Sequence, residues 1–292
     1  MYAMKHAALC FALAFVVSAC TTATSSAAPV KLPQTALAGT PCDPPLVVPP
    51  SIVAYMRAQF DTSGAPKPPV PAADFATLQK AQAEMAKKDW AAACYFRADN
   101  TTLAAQPVPA DRVVFMGDSI TQSWLFAHPD FFGPSRVNRG ISGQTTPQML
   151  LRFKGDVLAL KPRAVHILGG VNDIAGNTGP TTLEDVENNV MSMVELAKAH
   201  GVKVILATPL PAAKFNWAPQ LKPAESVASY VAWIKAYAAE QGLVLADYFT
   251  PLAMPDGAFK TELTLDGIHP NKAGYDVMEP VTSAAIAEVL RR

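Results

Sequence analysis

The apolar positions of this chain change rhythm several times. Residues 7–17 form one unbroken apolar run behind a short basic start at Lys5 and His6. From 21 to 71 no rhythm survives, and Thr, Ser, Ala and Pro dominate. Between 74 and 100, Phe75, Leu78, Ala81, Met85 and Ala86 recur near helical spacing, with Lys80, Glu84, Lys87 and Lys88 on other faces. That pattern predicts an amphipathic helix. From Arg112 onward, short apolar runs alternate with amphipathic stretches. The runs predict strands over 112–116, 136–138, 164–168, 202–208 and 243–248. The stretches predict helices over 122–126, 146–159, 183–200, 224–241 and 272–290. Gly201 and Gly242 follow two of these helices, where a left-handed stop is expected. Strands alternating with helices in this way imply a parallel sheet covered on both faces.

Composition adds bounds. Half of the 292 residues are hydrophobic, enough for one α/β domain with additions. Lys+Arg and Asp+Glu balance at 24 each, and no basic block offers a nucleic-acid surface. The run at 7–17 is too short to span a bilayer and has the shape of a secretory signal. It ends Val17-Ser18-Ala19-Cys20, which resembles a bacterial lipoprotein box. The resemblance implies a signal over 1–19, lipidation of Cys20 and membrane attachment through that N-terminal anchor. Thr21 beside the cysteine resembles an outer-membrane address. The alternative is cleavage near 27–28, leaving a soluble periplasmic or secreted protein. The proline-rich stretch over 20–71 reads as tether and wrap, with a short helix over 51–60. A helical extension is expected over 72–110 and the main domain over 111–292. Cys10 and Cys20 belong to the targeting segment, so Cys42 and Cys94 remain as either one disulfide or two buried thiols. No Cys-x-x-Cys or His-Glu-x-x-His occurs, so no metal site is signalled.

In a parallel sheet the chemistry lies in loops at the carboxyl ends of strands. The first strand ends in Gly117-Asp118-Ser119-Ile120, and the second in Asn138-Arg139-Gly140-Ile141-Ser142-Gly143-Gln144-Thr145. The third ends in Gly169-Gly170-Val171-Asn172-Asp173, and Asp266-Gly267-Ile268-His269-Pro270 precedes the last helix. Taken singly, each has a plain reading: Ser119 or Asp118 as a helix cap, Gly143 as a turn, Asn172 as a cap, Asp266 as a cap ahead of Pro270. Taken together and in order, the four blocks resemble those of the SGNH hydrolases, the GDSL esterase/lipase family. The motifs are closest to its platelet-activating-factor acetylhydrolase-like and carbohydrate acetylesterase branches. The resemblance runs over about 112–290.

It implies an α/β, three-layer αβα sandwich on a five-stranded, flavodoxin-like parallel sheet, preceded here by the N-terminal helical extension. It implies Ser119 as nucleophile, His269 as base and Asp266 as the group orienting the base. The oxyanion donors it implies are the Ser119 amide, the Gly143 amide and the Asn172 side chain. The chemistry is consistent: a serine hydroxyl needs a base in reach, and the base needs a carboxylate to fix its tautomer. Asp266 lies three residues before His269, so one tight turn brings them together. Gly140 ranks behind Gly143 as a donor. Among the other histidines, His128 has only Asp130 nearby in sequence, His166 is mid-strand and His200 ends a helix.

The family's range leaves the substrate open. The second block favours short acyl groups, most simply acetyl, and Trp124, Phe215 and Trp217 near strand ends suit a sugar ring. Packing is the equal alternative for those aromatics. A small-molecule or carbohydrate ester is the expected partner, and the chemistry needs no cofactor. The competing expectations are a lipid-directed esterase, lysophospholipase or thioesterase of the same mechanism, and an inactive glycan-binding module of this fold.

Overall fold

The computed structural model describes residues 42, 43 and 45–292. The signal segment, Cys20 and the first half of the tether lie outside the described residues. Each apolar run from Arg112 onward becomes a strand: β1 (Val113–Gly117), β2 (Arg136–Gly140), β3 (Ala164–Leu168), β4 (Lys203–Ala207) and β5 (Val244–Ala246). They form one sheet in the order β2-β1-β3-β4-β5, every pair parallel. The fold is thus the expected three-layer α/β sandwich. Gly117 stands level with Gly140 on one side and Leu168 on the other. The first three strands therefore finish together, and the loops after them leave from one rim.

Among the described residues, the helices on or beside this sheet begin with α1 (Pro50–Ala58), α2 (Ala72–Lys88), α3 (Arg97–Ala104), α4 (Ser119–Ala127) and α5 (Thr146–Asp156), then after the one-turn α6 (Val171–Ile174) come α7 (Leu183–Ala199) and α8 (Ala224–Glu240). A second one-turn helix, α9 (Phe249–Leu252), precedes the long α10 (Lys272–Arg291). Strand side chains alternate between faces. Val113 and Phe115 pack with Trp124 of α4 and Tyr275 and Met278 of α10. Val114 and Met116 pack with Phe153 of α5, Val190 of α7 and Ile234 of α8. Both faces are covered, which explains why β1, β3 and β4 read as largely apolar runs, while the edge strand β2 buries Asn138 and Arg139.

One predicted helix, over 74–100, is two. It breaks after α2, because the Asp89 carboxylate accepts the Ala93 and Cys94 amides at 2.9 and 2.7 Å and turns the chain. Ala92 takes a positive φ of 53° in that turn. Cys94 is joined to Cys42 in a disulfide. The extension is fastened to the β2 edge by polar bonds. Asn100 of α3 accepts from Arg139 Nε at 2.9 Å and donates to Asp156 at 2.6 Å. The Gln144 and Gln148 amides donate to the carbonyls of Ala91 and Trp90, each at 2.7 Å. Among the described residues no helix is long and apolar enough to cross a membrane.

Candidate active site

Ser119 opens α4 immediately after β1, and its neighbour Asp118 caps that helix by accepting the Ile120 amide at 3.0 Å. The sharp strand-to-helix turn leaves Ser119 part-exposed at the rim, between two fully covered neighbours. Its hydroxyl lies 2.9 Å from His269 Nε2, across 150 residues of sequence. His269 Nδ1 lies 2.8 Å from Asp266 Oδ2. The other Asp266 oxygen accepts the Ile268 and His269 amides at 3.0 and 2.8 Å, so the carboxylate is held by the same turn it serves. That turn needs Gly267 at φ 90°, and it is closed by Thr264, whose hydroxyl donates to the His269 carbonyl at 2.7 Å.

Two further bonds fix the height of the imidazole. Asn271 caps α10 by accepting the Gly274 amide at 3.0 Å, and Tyr275 donates to the Ile120 carbonyl at 2.7 Å. The helix after the base is thereby tied to the helix that carries the serine. Burial alone would lower the His269 imidazole, but the hydrogen bond and charge of Asp266, with the charge of Asp118, outweigh it and leave it raised. Burial would raise Asp266, yet its bonds to His269 and the adjoining amides hold it below the ordinary carboxylate value. The pair is therefore polarised toward an imidazole that accepts a proton and a carboxylate that keeps its charge.

Gly143 and Asn172 reach the same rim from the loops after β2 and β3. Gly143 is left-handed at φ 77°. Asn172 is buried, and its amide nitrogen donates to the Gln144 carbonyl at 3.0 Å and more loosely to Asp118 at 3.3 Å. Asp118 is pushed up to about 6 by burial, against the Ile120 amide and the charge of His269. Asp173 is also pushed up to about 6 by burial, while it accepts the Thr146 hydroxyl and amide at the start of α5. Arg152 donates to both the Gly117 carbonyl and Asp156 at 3.0 Å and also holds Gln144, so one buried guanidinium braces the first two loops.

Asn177 bonds to two of the candidate site residues and has no place in the sequence reading. Its amide nitrogen donates to the Asn172 side-chain oxygen at 2.9 Å and to the Gly143 carbonyl at 3.2 Å, and its oxygen accepts from Trp217 Nε1 at 3.1 Å. The first bond fixes the Asn172 amide, with its oxygen on Asn177 and its nitrogen on Gln144 and Asp118. The second ties the loop after β2 to the loop after β3 through the Gly143 carbonyl. A polar residue five positions after Asn172, in a loop flanked by apolar strands, was the available signal.

The aromatic pocket residues need correction. Trp124 and Phe215 are each 0 % exposed. Trp124 stacks on Phe131 inside the α4/α10 layer, and Phe215 packs with Val227 and Val231 of α8. A side chain with no free surface lines no pocket, so both belong to the core. Trp217 is 47 % exposed at the rim and rests on Phe215, its ring centroid 5.3 Å away. His128 also has partners unseen in the sequence, since Asp276 and Glu279 of α10 lie 2.9 and 2.7 Å from its ring nitrogens. His166 bonds Tyr248 at 2.8 Å, and burial lowers it to about 3, so it stays a neutral core residue.

A serine, an imidazole and a carboxylate in series at the rim of such a sheet are the arrangement of the serine hydrolases, a class that splits acyl bonds. Within that class this chain belongs to the GDSL-like lipase/acylhydrolase family, whose model matches residues 115–277. It is an ester hydrolase. A provisionally assigned acylhydrolase from Bacteroides fragilis NCTC 9343 is 44% identical, with a TM-score of 0.67 over 69% of this chain and 99% of its own. A GDSL-like lipase from Bacteroides thetaiotaomicron VPI-5482 is 43% identical, with a TM-score of 0.66 over 68% of this chain and 98% of its own. An uncharacterized lipoprotein of Bacillus subtilis (strain 168), YqeF, is 37% identical over 83 residues. That match spans 27% of this chain and 34% of YqeF.

Proposed function

We propose that ester hydrolysis here runs through Ser119 as nucleophile, His269 as base and Asp266 as its orienting carboxylate. The observation that carries this reading is the unbroken series of two short bonds, 2.9 Å from Ser119 to His269 and 2.8 Å from His269 to Asp266. His269 takes the Ser119 proton as Oγ attacks the acyl carbon, then returns it to the departing alcohol. Water repeats the sequence and frees the acid. The developing oxyanion is taken by the Ser119 and Gly143 amides and by Asn172. Asn172 has to turn one N–H from its long contact with Asp118 to that oxygen, an exchange of a weak bond for a charge-assisted one.

On the alcohol side, exposed Trp217 beside the rim supports a carbohydrate. On the acyl side, the resemblance to acetylesterases supports a short group such as acetyl. A second reading, a lipid-directed esterase, is favoured by an apolar cleft beside Gly143. The likeness to YqeF and the Cys20 motif support a cell-envelope lipoprotein, and the address at Thr21 supports the outer membrane. The mechanism is tested on p-nitrophenyl acetate. Ser119→Ala is expected to abolish turnover, and Asn172→Ala to lower kcat by ~10²–10³. Ordinary turnover by both variants would overturn the assignment.

A further inference from the structure

The extension and the loop after β2 enclose a cleft of about 570 Å³, within the range of sites that hold small molecules. One wall is aliphatic and aromatic, with Ile52 and Met56 of α1 and Phe75, Leu78 and Met85 of α2. The other wall includes Ile141, Ser142 and Gly143. The apolar face of α2 is left uncovered: none of its 17 residues is buried, and Phe75 is 53 % exposed. An amphipathic helix normally closes its apolar stripe against the core. Here the stripe faces an open cleft, a contiguous apolar surface of the kind that marks a binding site.

We propose that this cleft holds the acyl chain of the substrate and decides the acyl side for the second, lipid-directed reading against acetyl: a linear saturated chain longer than acetyl. The proposal rests on the assignment of Ser119, His269 and Gly143 above. His269 must reach the departing alcohol, so the alcohol lies on the imidazole side. The cleft is lined by neither His269, Asp266 nor Trp217, and it meets the site at Gly143, a donor to the acyl oxygen. What enters it is therefore the acyl end. Among the described residues that line it, Asp89 is the one charged residue, and both its oxygens are taken by the Ala93 and Cys94 amides. Without cations for a phosphate headgroup and with aliphatic walls, the cleft fits hydrocarbon. The wall from α1 and α2 precedes the family match at 115–277, so this preference belongs to the chain's own addition.

The test uses the full chain and p-nitrophenyl acetate, butyrate and octanoate at concentrations where each ester is monomeric. A second arm uses Ala86→Trp, which places a bulky ring in the cleft from an exposed position on α2. In the wild-type chain kcat/KM is expected to rise about three- to fourfold per methylene from butyrate to octanoate. In Ala86→Trp the rise disappears while acetate turnover stays unchanged. A flat or falling profile in the wild type, or the wild-type slope retained in Ala86→Trp, overturns the acyl site and leaves the mechanism standing. Acetate turnover surviving in Ser119→Ala overturns the mechanism, and the acyl site with it.

Discussion

At the residue scale the informative quantity is the protonation of His269. In the proposed mechanism only the neutral imidazole accepts the serine proton, so kcat/KM is expected to fall on the acid side as His269 becomes charged. Asp266 raises this imidazole against the effect of burial. The acid limb is therefore expected above the ordinary histidine value of about 6.5. Asp266→Asn removes the charge and offers the imidazole the wrong tautomer. It should lower kcat by on the order of 10⁴ and move the acid limb to lower pH. A pH–rate profile of both proteins checks this, and an unmoved limb would mean that Asp266 does not set the base. The Asp266–His269 pair was legible in the sequence because its parts are three residues apart. Asn177 was not, because its partners Asn172, Gly143 and Trp217 come from three separate stretches.

At the element scale the rim depends on how closely strands and helices approach one another. Gly140 ends β2, and a Cβ there would lie 2.3 Å from the Gln122 amide nitrogen and 2.8 Å from the Asp118 carbonyl oxygen. These are backbone atoms of the turn and helix that carry Ser119, and they cannot yield without moving it. Gly140→Ala is expected to cost about 1–3 kcal/mol of stability in urea unfolding and to lower kcat as well, though residue 140 itself touches no substrate. Gly143→Ala meets only Asn177, at 4.0 Å, so its cost comes from the left-handed φ instead, about 1–2 kcal/mol. The sequence ranked Gly143 ahead of Gly140 for function, and the geometry supplies the other half: Gly140 is a packing glycine. Strand and helix positions were legible from Arg112 onward because the strands other than β2 are largely apolar on both faces and the helices on one. The break at Asp89 was not, since the run 74–100 keeps a helical rhythm through it. Trp124 and Phe215 misled for a related reason, because hydrophobicity alone does not separate a pocket wall from the core.

At the scale of the whole molecule, the extension is joined to the β2 edge by polar bonds, packs Phe60 against Tyr275 of α10, and is closed on itself by Cys42–Cys94. The disulfide spans 52 residues, including all of α1 and α2. Closing a loop of that length stabilises the ordered extension by up to about 4 kcal/mol through the entropy it removes from the open chain. The proposed catalytic series lies elsewhere, on the loops after β1 and before α10. Loss of the disulfide should therefore loosen the extension without dismantling the site. In a Cys42→Ser/Cys94→Ser chain, amides of α2 are expected to exchange with solvent faster, while those of β1 and β3 keep their protection. Acetate turnover should stay within a few-fold of the parent, because Ser119, His269 and Asp266 keep their shared frame through Tyr275 and Asn271. Hydrogen exchange read by mass spectrometry decides the first point and an acetate assay the second. Equal loss of protection in α2 and in the central strands would mean that the extension and the sheet unfold as one unit, and that the disulfide stabilises the hydrolase fold itself.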